Sequence, residues 1–272
     1  WNNEGQRALA NNSVCYKEKP PIGIFMKEWL TLYNSKSGER GIYNRQSAVE
    51  KSLENGRRDS EHDFGTNPCS EIILRPYQFC NLTEVVVRAE DTIEDLERKI
   101  GLATILGTIQ ATLTDLKYLR KIWKDNTEEE RLLGVSLTGI MDNALLNSAS
   151  AGYLSELLSQ LKDVAVYTNL GLSKQLGIPQ STAITCVKPS GTVSQLVDSA
   201  SGIHARHSEY YIRTVRGDKK DPLTQFMQSV GVPVEDDIMQ PDSTVVFSFP
   251  VKSPSKAVTR NDTGAIEQLN LW

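Results

Sequence analysis

Asn67, Cys69 and Glu71 put an amide, a thiol and a carboxylate at alternate positions of one short stretch, and Cys80 follows eleven positions after Cys69. Pro68 biases Asn67 away from the helical region, so the stretch is expected to enter as extended chain. In extended chain every second side chain points the same way, which puts the three groups on one face and turns Pro68 and Ser70 away. Fully extended, the span from Cys69 to Cys80 would separate the two sulfurs by roughly 36 Å. Arg75-Pro76-Tyr77 supplies a turn signal midway, so the chain can double back and return Cys80 to the same site. The expectation is a finger-like loop that carries Cys69, with Cys80 on the returning strand.

An isolated cysteine is often a small buried hydrophobe and nothing more. A carboxylate two residues away also raises a thiol's pKa by like-charge repulsion, which works against a thiolate nucleophile. It does not work against a thiol that reacts by losing a hydrogen atom. The trio therefore points toward radical chemistry, and spacing alone leaves both readings open.

A second candidate lies at Lys188-Pro189-Ser190-Gly191-Thr192. Residues 181–187 read as a strand, and the motif turns it into a helix expected through Val197. A strand, a glycine-containing turn and a helix N-terminus leave free backbone N–H groups pointing outward, an arrangement suited to phosphate. Pro189, Ser190, Gly191 and Thr192 are the candidate phosphate-binding residues, although many ordinary turns contain Gly and Thr. Gly56-Arg57-Arg58 offers paired arginines that could meet a phosphorylated ligand; a solvated or salt-bridged pair is the preferred reading. His204 and His207 lack a third ligand nearby, so a polar loop near substrate or cofactor is preferred to a metal site, and no metal is expected. Cys15 and Cys186 read as structural.

The elements that must position these groups alternate between strand and helix, which argues for an α/β protein. A helix fragment precedes a short strand at 11–15. Pro20-Pro21 starts a helix through about Asn34, with Ile24, Phe25, Trp29 and Leu32 on its apolar face. Residues 47–55 read as helix and 82–88 as a buried strand. Asp91 with Glu94 reads as the capping box of a long helix ending near Leu113. Residues 118–126 read as a connector, 127–130 as a helix start and 132–140 as the next strand. Helices are expected at 141–147 and 153–176, the latter stopped by Gly177-Ile178-Pro179. A strand at 210–216, a helix at 222–230 and a strand at 244–251 complete the pattern, with no internal repeat.

The 272 residues are enough for one large core or two small ones. A net charge of −4 gives no sign of a nucleic-acid surface. Apolar runs fall short of a membrane span, and the start carries no secretory signal. Four scattered cysteines without a Cys-x-x-Cys pair argue against zinc and against a secreted disulfide framework, so a cytoplasmic location is expected. Trp1 at the start and a helix still under way at Trp272 lead to the expectation of an internal fragment.

Residues 67–71 (NPCSE) with Cys80 resemble the active-site loop of ribonucleotide reductases, and the short Cys-to-Cys gap most resembles the monomeric adenosylcobalamin-dependent ribonucleoside-triphosphate reductases. Residues 41–45 (GIYNR), 56–58 (GRR), 132–139 (LLGVSLTG), 188–192 (KPSGT) and 201–207 (SGIHARH) fit the same family in the same order. The resemblance implies a ten-stranded α/β barrel with the Cys69 loop inserted through its centre. It further implies a single catalytic barrel domain spanning 1–272, incomplete, corresponding to the second half of the barrel. Adenosylcobalamin would supply a radical that converts Cys69 to a thiyl, which removes the ribose 3′ hydrogen. Glu71 would act as general base on the 3′ hydroxyl, and Asn67 would hydrogen-bond in that site. Cys80 and an upstream cysteine would supply protons and electrons as the 2′ hydroxyl leaves. A thioredoxin-like dithiol would reset the disulfide, and nucleotide effectors would act through regions outside the chain. Residues 188–192 would hold the substrate phosphates, and the implied activity serves DNA synthesis. Two alternatives stay open: a glycyl-radical dehydratase, for which residues 213–217 (RTVRG) are a faint echo of the radical motif, and a barrel module without activity.

Overall fold

Two parallel strand pairs joined through helices, a short antiparallel hairpin and a three-stranded antiparallel sheet make up the computed structural model, which describes residues 12–36, 40–54, 56, 58–148 and 151–272. The helix expected ahead of residue 11 lies outside them. Strand β1 (Asn12–Tyr16) runs parallel to β2 (Arg40–Asn44), with Val14 opposite Ile42, and helix α1 (Ile22–Ser35) connects them. Pro21 precedes the first turn, where its missing N–H costs nothing. The expected apolar face of α1 buries no residue: Trp29 is 54% exposed and makes a ring stack with Phe25. Helix α2 (Arg45–Leu53) is capped by Asn44, whose side chain accepts from the amides of Gln46 and Ser47. The strand β2 gave no signal in the sequence.

A short antiparallel hairpin, β3 (Gly65–Thr66) and β4 (Ile73–Leu74), leads to β5 (Asn81–Val86). Helices α3 (Ile93–Gln110) and α4 (Lys121–Glu130) then bring the chain to β6 (Leu133–Thr138), parallel to β5 with Leu82 opposite Gly134 and Glu84 opposite Ser136. Two sequence expectations are corrected here. The cap of α3 is Thr92 with Asp95, each side chain bonding the other's amide, because that pair has the three-residue spacing at the true helix start. Asp91 instead accepts from the Arg88 amide and pairs with Lys99, closing the turn before the helix. Residues 127–130 end α4 and do not start a helix; Arg131, in a left-handed conformation with φ 47°, stops it.

Helices α5 (Ala144–Asn147) and α6 (Ala151–Leu176) follow, and Gly177 ends α6 with φ +67°. Residues 181–187 run beside β6, where the Val135 amide donates to Ile184 and the Cys186 amide to Val135. They form an isolated parallel bridge there and not a continuous strand. The four-residue α7 (Val193–Leu196) comes next. The last sheet is antiparallel in the order β7 (Tyr210–Asp218), β9 (Thr244–Lys252), β8 (Val234–Asp236), with α8 (Pro222–Ser229) before β8 and α9 (Ala265–Leu271) at the end.

Strand alternation divides the β5–β6 pair into two faces. Val85, Leu133 and Val135 pack against Leu96, Ile100 and Ala103 of α3 and Leu157, Leu161 and Ala165 of α6, forming the main core. Each fully buried aliphatic side chain there stabilises the fold by about 1.5–3 kcal/mol. The opposite face carries Leu82, Glu84, Gly134 and Ser136. A Cβ on Gly134 would meet Leu82, Ile72 and the Cys186 sulfur, so the hairpin and residue 186 converge on that face. Among the described residues no helix is long and apolar enough to cross a membrane.

Candidate active site

The hairpin closes with Asn67. Its amide donates to the Ile72 carbonyl at 3.3 Å, and its side-chain Oδ1 accepts from the Ile72 amide at 3.0 Å. Ser70 donates to the Asn67 carbonyl at 3.0 Å and takes a left-handed conformation with φ 64°. The chain therefore reverses at Pro68-Cys69, where a proline suits the second position of a turn. This corrects the expectation that 67–71 stays extended with alternating faces. Cys69 sits exposed at the tip. A second bend, with Tyr77 at φ 60°, falls at the expected Arg75-Pro76-Tyr77 signal and returns the chain to Cys80 at the foot of β5.

Buried ions hold the base of this hairpin. Arg58 donates through Nε and Nη2 to the two Glu130 oxygens, each at 2.9 Å, and lies over the ring of the buried Phe64. Gln78 bonds both Arg58 and Glu130. Arg75 donates to Glu129 at 2.6 Å, and Asn126 caps the Pro76 and Tyr77 carbonyls. The structural reading of Arg58 holds, whereas Arg57 lies outside the described residues.

Glu71 is the enclosed acid of the site, with a side chain 0% exposed. Lys188 Nζ donates to its Oε1 at 2.9 Å, while Oε2 is buried and makes no hydrogen bond. Burial pushes the carboxyl's pKa up. Hydrogen bonds from Lys188, its own backbone and Asn67, with the Lys188 charge, more than offset that and hold it below its ordinary value. Burial, then the Glu71 charge, raise the Cys80 thiol. The same two causes push Cys186 up to about 12. Both thiols therefore stay protonated at neutral pH. Cys15 is exposed on β1, so it is not a packed core residue; burial first, and then the neighbouring Cys15, raise the pKa of the Tyr43 hydroxyl.

The 188–192 turn is built on the same face. Ser190 is buried; its Oγ accepts from the Ser194 amide at 3.0 Å and its carbonyl accepts from the Ser194 and Ser201 hydroxyls. Among the described residues the amides of Gly191, Thr192 and Val193 have no partner, and the exposed Thr192 makes no side-chain cap bond. Gly202, in the left-handed region at φ +57°, backs the turn: a Cβ there would lie 2.8 Å from the Lys188 carbonyl. Asp142 and Arg206 fasten this loop to the end of β6 through a buried two-pronged pair at 2.8 Å. His204 bonds the Ser201 carbonyl and His207 packs on Tyr211. Among the described residues no three His, Cys, Asp or Glu side chains group as metal ligands.

Sequence reasoning missed Lys188 as the partner of Glu71 and Cys186 as a neighbour of the site. The alternation of an extended 182–188 segment, which puts residues 186 and 188 on one side, was the available signal. The assembled groups are an exposed thiol at a tip, an ionised buried carboxylate with one free oxygen, two protonated thiols and a turn of unpaired amides. They suit hydrogen-atom and proton transfer beside an anionic ligand.

No family model matches the chain. It is 30% identical over 240 residues to an adenosylcobalamin-dependent ribonucleoside-triphosphate reductase of Euglena gracilis, covering 86% of this chain and 32% of that protein. Proteins of the same description from Lactobacillus delbrueckii subsp. bulgaricus and Lactobacillus leichmannii are 31% and 30% identical over 280 residues, covering 91% of this chain and 36% of each. The chain thus spans about a third of the length of these relatives. A crystal structure of a B-12 dependent (class II) ribonucleotide reductase superposes with a TM-score of 0.65 and 26% identity, over 82% of this chain and 33% of the other.

Proposed function

We propose that this chain, a homologue of the adenosylcobalamin-dependent ribonucleoside-triphosphate reductases over most of its own length, is the active-site segment of such an enzyme and reduces ribonucleotides to 2′-deoxyribonucleotides. On this reading residues 1–272 belong to a single catalytic barrel domain, β5, β6 and the 181–187 segment are neighbouring parts of its ten-stranded wall, and the hairpin is the finger that enters it. The observation that carries the proposal is Glu71: a fully enclosed, ionised carboxylate with an unpartnered oxygen, two residues from an exposed thiol.

The residues present fit the implied cofactor at one point, because Cys69 stands exposed at the hairpin tip, where a radical source can reach its sulfur. Adenosylcobalamin, when bound, would supply the radical chemistry, and Cys69 would be the residue that gives up its thiol hydrogen. Cys69 then removes the ribose 3′ hydrogen, while Oε2 of Glu71 takes the proton of the 3′ hydroxyl. Asn67 holds the turn that brings thiol and carboxylate together. The Cys80 thiol, kept protonated by burial and by Glu71, gives a proton to the departing 2′ hydroxyl, which leaves as water. Cys80 and a second thiol lose two electrons to the substrate and become a disulfide, the second thiol's proton going to C2′; Cys69 then returns its hydrogen to C3′ and Glu71 its proton to the 3′ oxygen, and an external dithiol of the thioredoxin kind reduces the disulfide. The unpaired amides of 191–193 and the Thr192 hydroxyl bind the substrate phosphates. Effector nucleotides act through parts of the enzyme outside this segment, and the working compartment is the reducing cytoplasm.

Turnover tests the proposal. The enzyme carrying this segment should convert a ribonucleoside triphosphate to its 2′-deoxy product only with adenosylcobalamin and a dithiol, and Glu71→Gln should abolish conversion. Undiminished product from the Glu71→Gln enzyme would overturn it.

A further inference from the structure

Lys188 reaches Glu71 across 117 residues of sequence. Its carbonyl sits against Gly202, whose left-handed conformation and lack of a Cβ permit the approach, and the Gly202 amide is bonded to Thr138 at 2.9 Å. The residue after it opens the 189–192 turn. One end of Lys188 is thus part of the frame of the phosphate turn, and the other end grips the carboxylate beside the reactive thiol.

A carboxylate has two oxygens, and an ion pair to one decides which remains for substrate. Here Oε1 is taken by Lys188 at 2.9 Å and Oε2 is buried without a partner. We propose that Lys188 is a positioning residue for the reaction, holding Oε1 of Glu71 so that Oε2 is presented, ionised, to the ribose 3′ hydroxyl at a distance from the phosphate turn fixed by the Lys188–Pro189 link. The inference rests on Glu71 being the general base. Burial pushes Glu71 toward the protonated form, the Lys188 hydrogen bond is the largest influence opposing it, and a protonated acid cannot accept that proton. The ionisable groups that bear on Glu71 and Lys188 are each other and the thiols of Cys69, Cys80 and Cys186, with Glu84 behind Cys186. Only Lys188 among them is a cation, so no neighbour in this set replaces it.

The experiment is a carbon-13 NMR titration of the chain labelled at glutamate carboxyls, with Glu71→Gln assigning the Glu71 resonance. In the natural chain Glu71 should titrate below ordinary glutamate. In Lys188→Met it should move up by about 1–3 pH units, and Lys188→Arg should restore the low value. If Lys188→Met does not fold, Lys188→Gln, which keeps a hydrogen-bond donor without the charge, carries the test and must show the same upward move. In the enzyme carrying this segment, the acid limb of kcat/KM should move with the Glu71 titration while KM stays within about twofold. An unmoved Glu71 titration overturns the inference, and so does a raised KM with an unmoved acid limb, which would make Lys188 a phosphate ligand. A moved titration in an enzyme indifferent to Glu71→Gln would overturn the general-base reading, and the reaction role with it, while supporting control of the carboxylate by Lys188.

Discussion

Arg58 and Glu130, 72 residues apart in sequence, form a buried two-pronged ion pair with both contacts at 2.9 Å. The pair ties the approach to the hairpin to the last turn of α4, and Gln78, between β4 and β5, bonds both partners. The hairpin is thereby clamped at its base while Cys69 at its tip is exposed.

Removing one partner should leave the other as an unpaired buried charge. Glu130→Ala is expected to destabilise the chain by about 3–5 kcal/mol. In the Arg58→Met/Glu130→Met double variant much of that loss should be recovered, because no charge is then stranded. Urea denaturation measures both, and a Glu130→Ala loss under about 1 kcal/mol would mean that the pair behaves like an exposed one.

Gly202 sets a second test, on backbone geometry. Gly202→Ala puts a methyl 2.8 Å from the Lys188 carbonyl at a residue with φ +57°. Left-handed strain alone costs about 1–2 kcal/mol, and the contact adds to it. Gly191→Ala, where nothing lies within 4 Å, is the control and should change stability little. Equal melting temperatures for the two variants would contradict the packing described for this turn.

Thr192 is exposed and caps nothing, so Thr192→Val should leave folding intact. Its hydroxyl is proposed to contact substrate phosphate, a bond to a charged group worth about 1.5–3 kcal/mol. Calorimetric titration of the enzyme with a ribonucleoside triphosphate should show that weakening. An unchanged Kd would move the phosphate site elsewhere.

Cys186 gives a pH prediction. Its thiol, ordinarily at 9.0, is pushed up to about 12 by burial and by the Glu71 charge. A group raised on folding contributes stability that is complete below its unfolded value and is lost as pH rises through the folded one. Between pH 9 and about 12 the unfolded chain should therefore gain relative stability, by up to about 1.4 kcal/mol per pH unit from this thiol. Cys186→Ser should show a correspondingly shallower alkaline loss in denaturant melts; parallel curves for the two proteins would contradict the burial assigned to this sulfur.

The order of strands and helices was legible because its signals are local. Alternation, caps and breakers located β5, β6, α6, β7 and β9 to within a few residues. What failed was local chemistry with two solutions. Asp91/Glu94 and Thr92/Asp95 both have cap spacing, and only the second matches the true first turn. Pro68 suits extended chain and the second position of a turn equally, and the Asn67–Ile72 bonds decide for the turn. In the candidate site, Cys69, Glu71 and Cys80 were proposed from neighbouring sequence. Lys188 and Glu130 could not be, since their partners lie 117 and 72 residues away and only the fold brings them together.

The proposed division of labour between Cys69 at the hairpin tip and Cys80 at the foot of β5 is tested most directly by a ribonucleotide tritiated at the 3′ position. In the enzyme carrying this segment, Cys69→Ser should abolish tritium release or transfer, because the stronger O–H bond of serine makes it a poor replacement for the hydrogen-abstracting thiol. Cys80→Ser should retain tritium release while failing to complete reduction, so that free base or inactivated enzyme accumulates in place of deoxynucleotide. Equal loss of tritium release in both variants would contradict the account, because Cys80 would then be needed to build the site and not only to deliver its proton and electron.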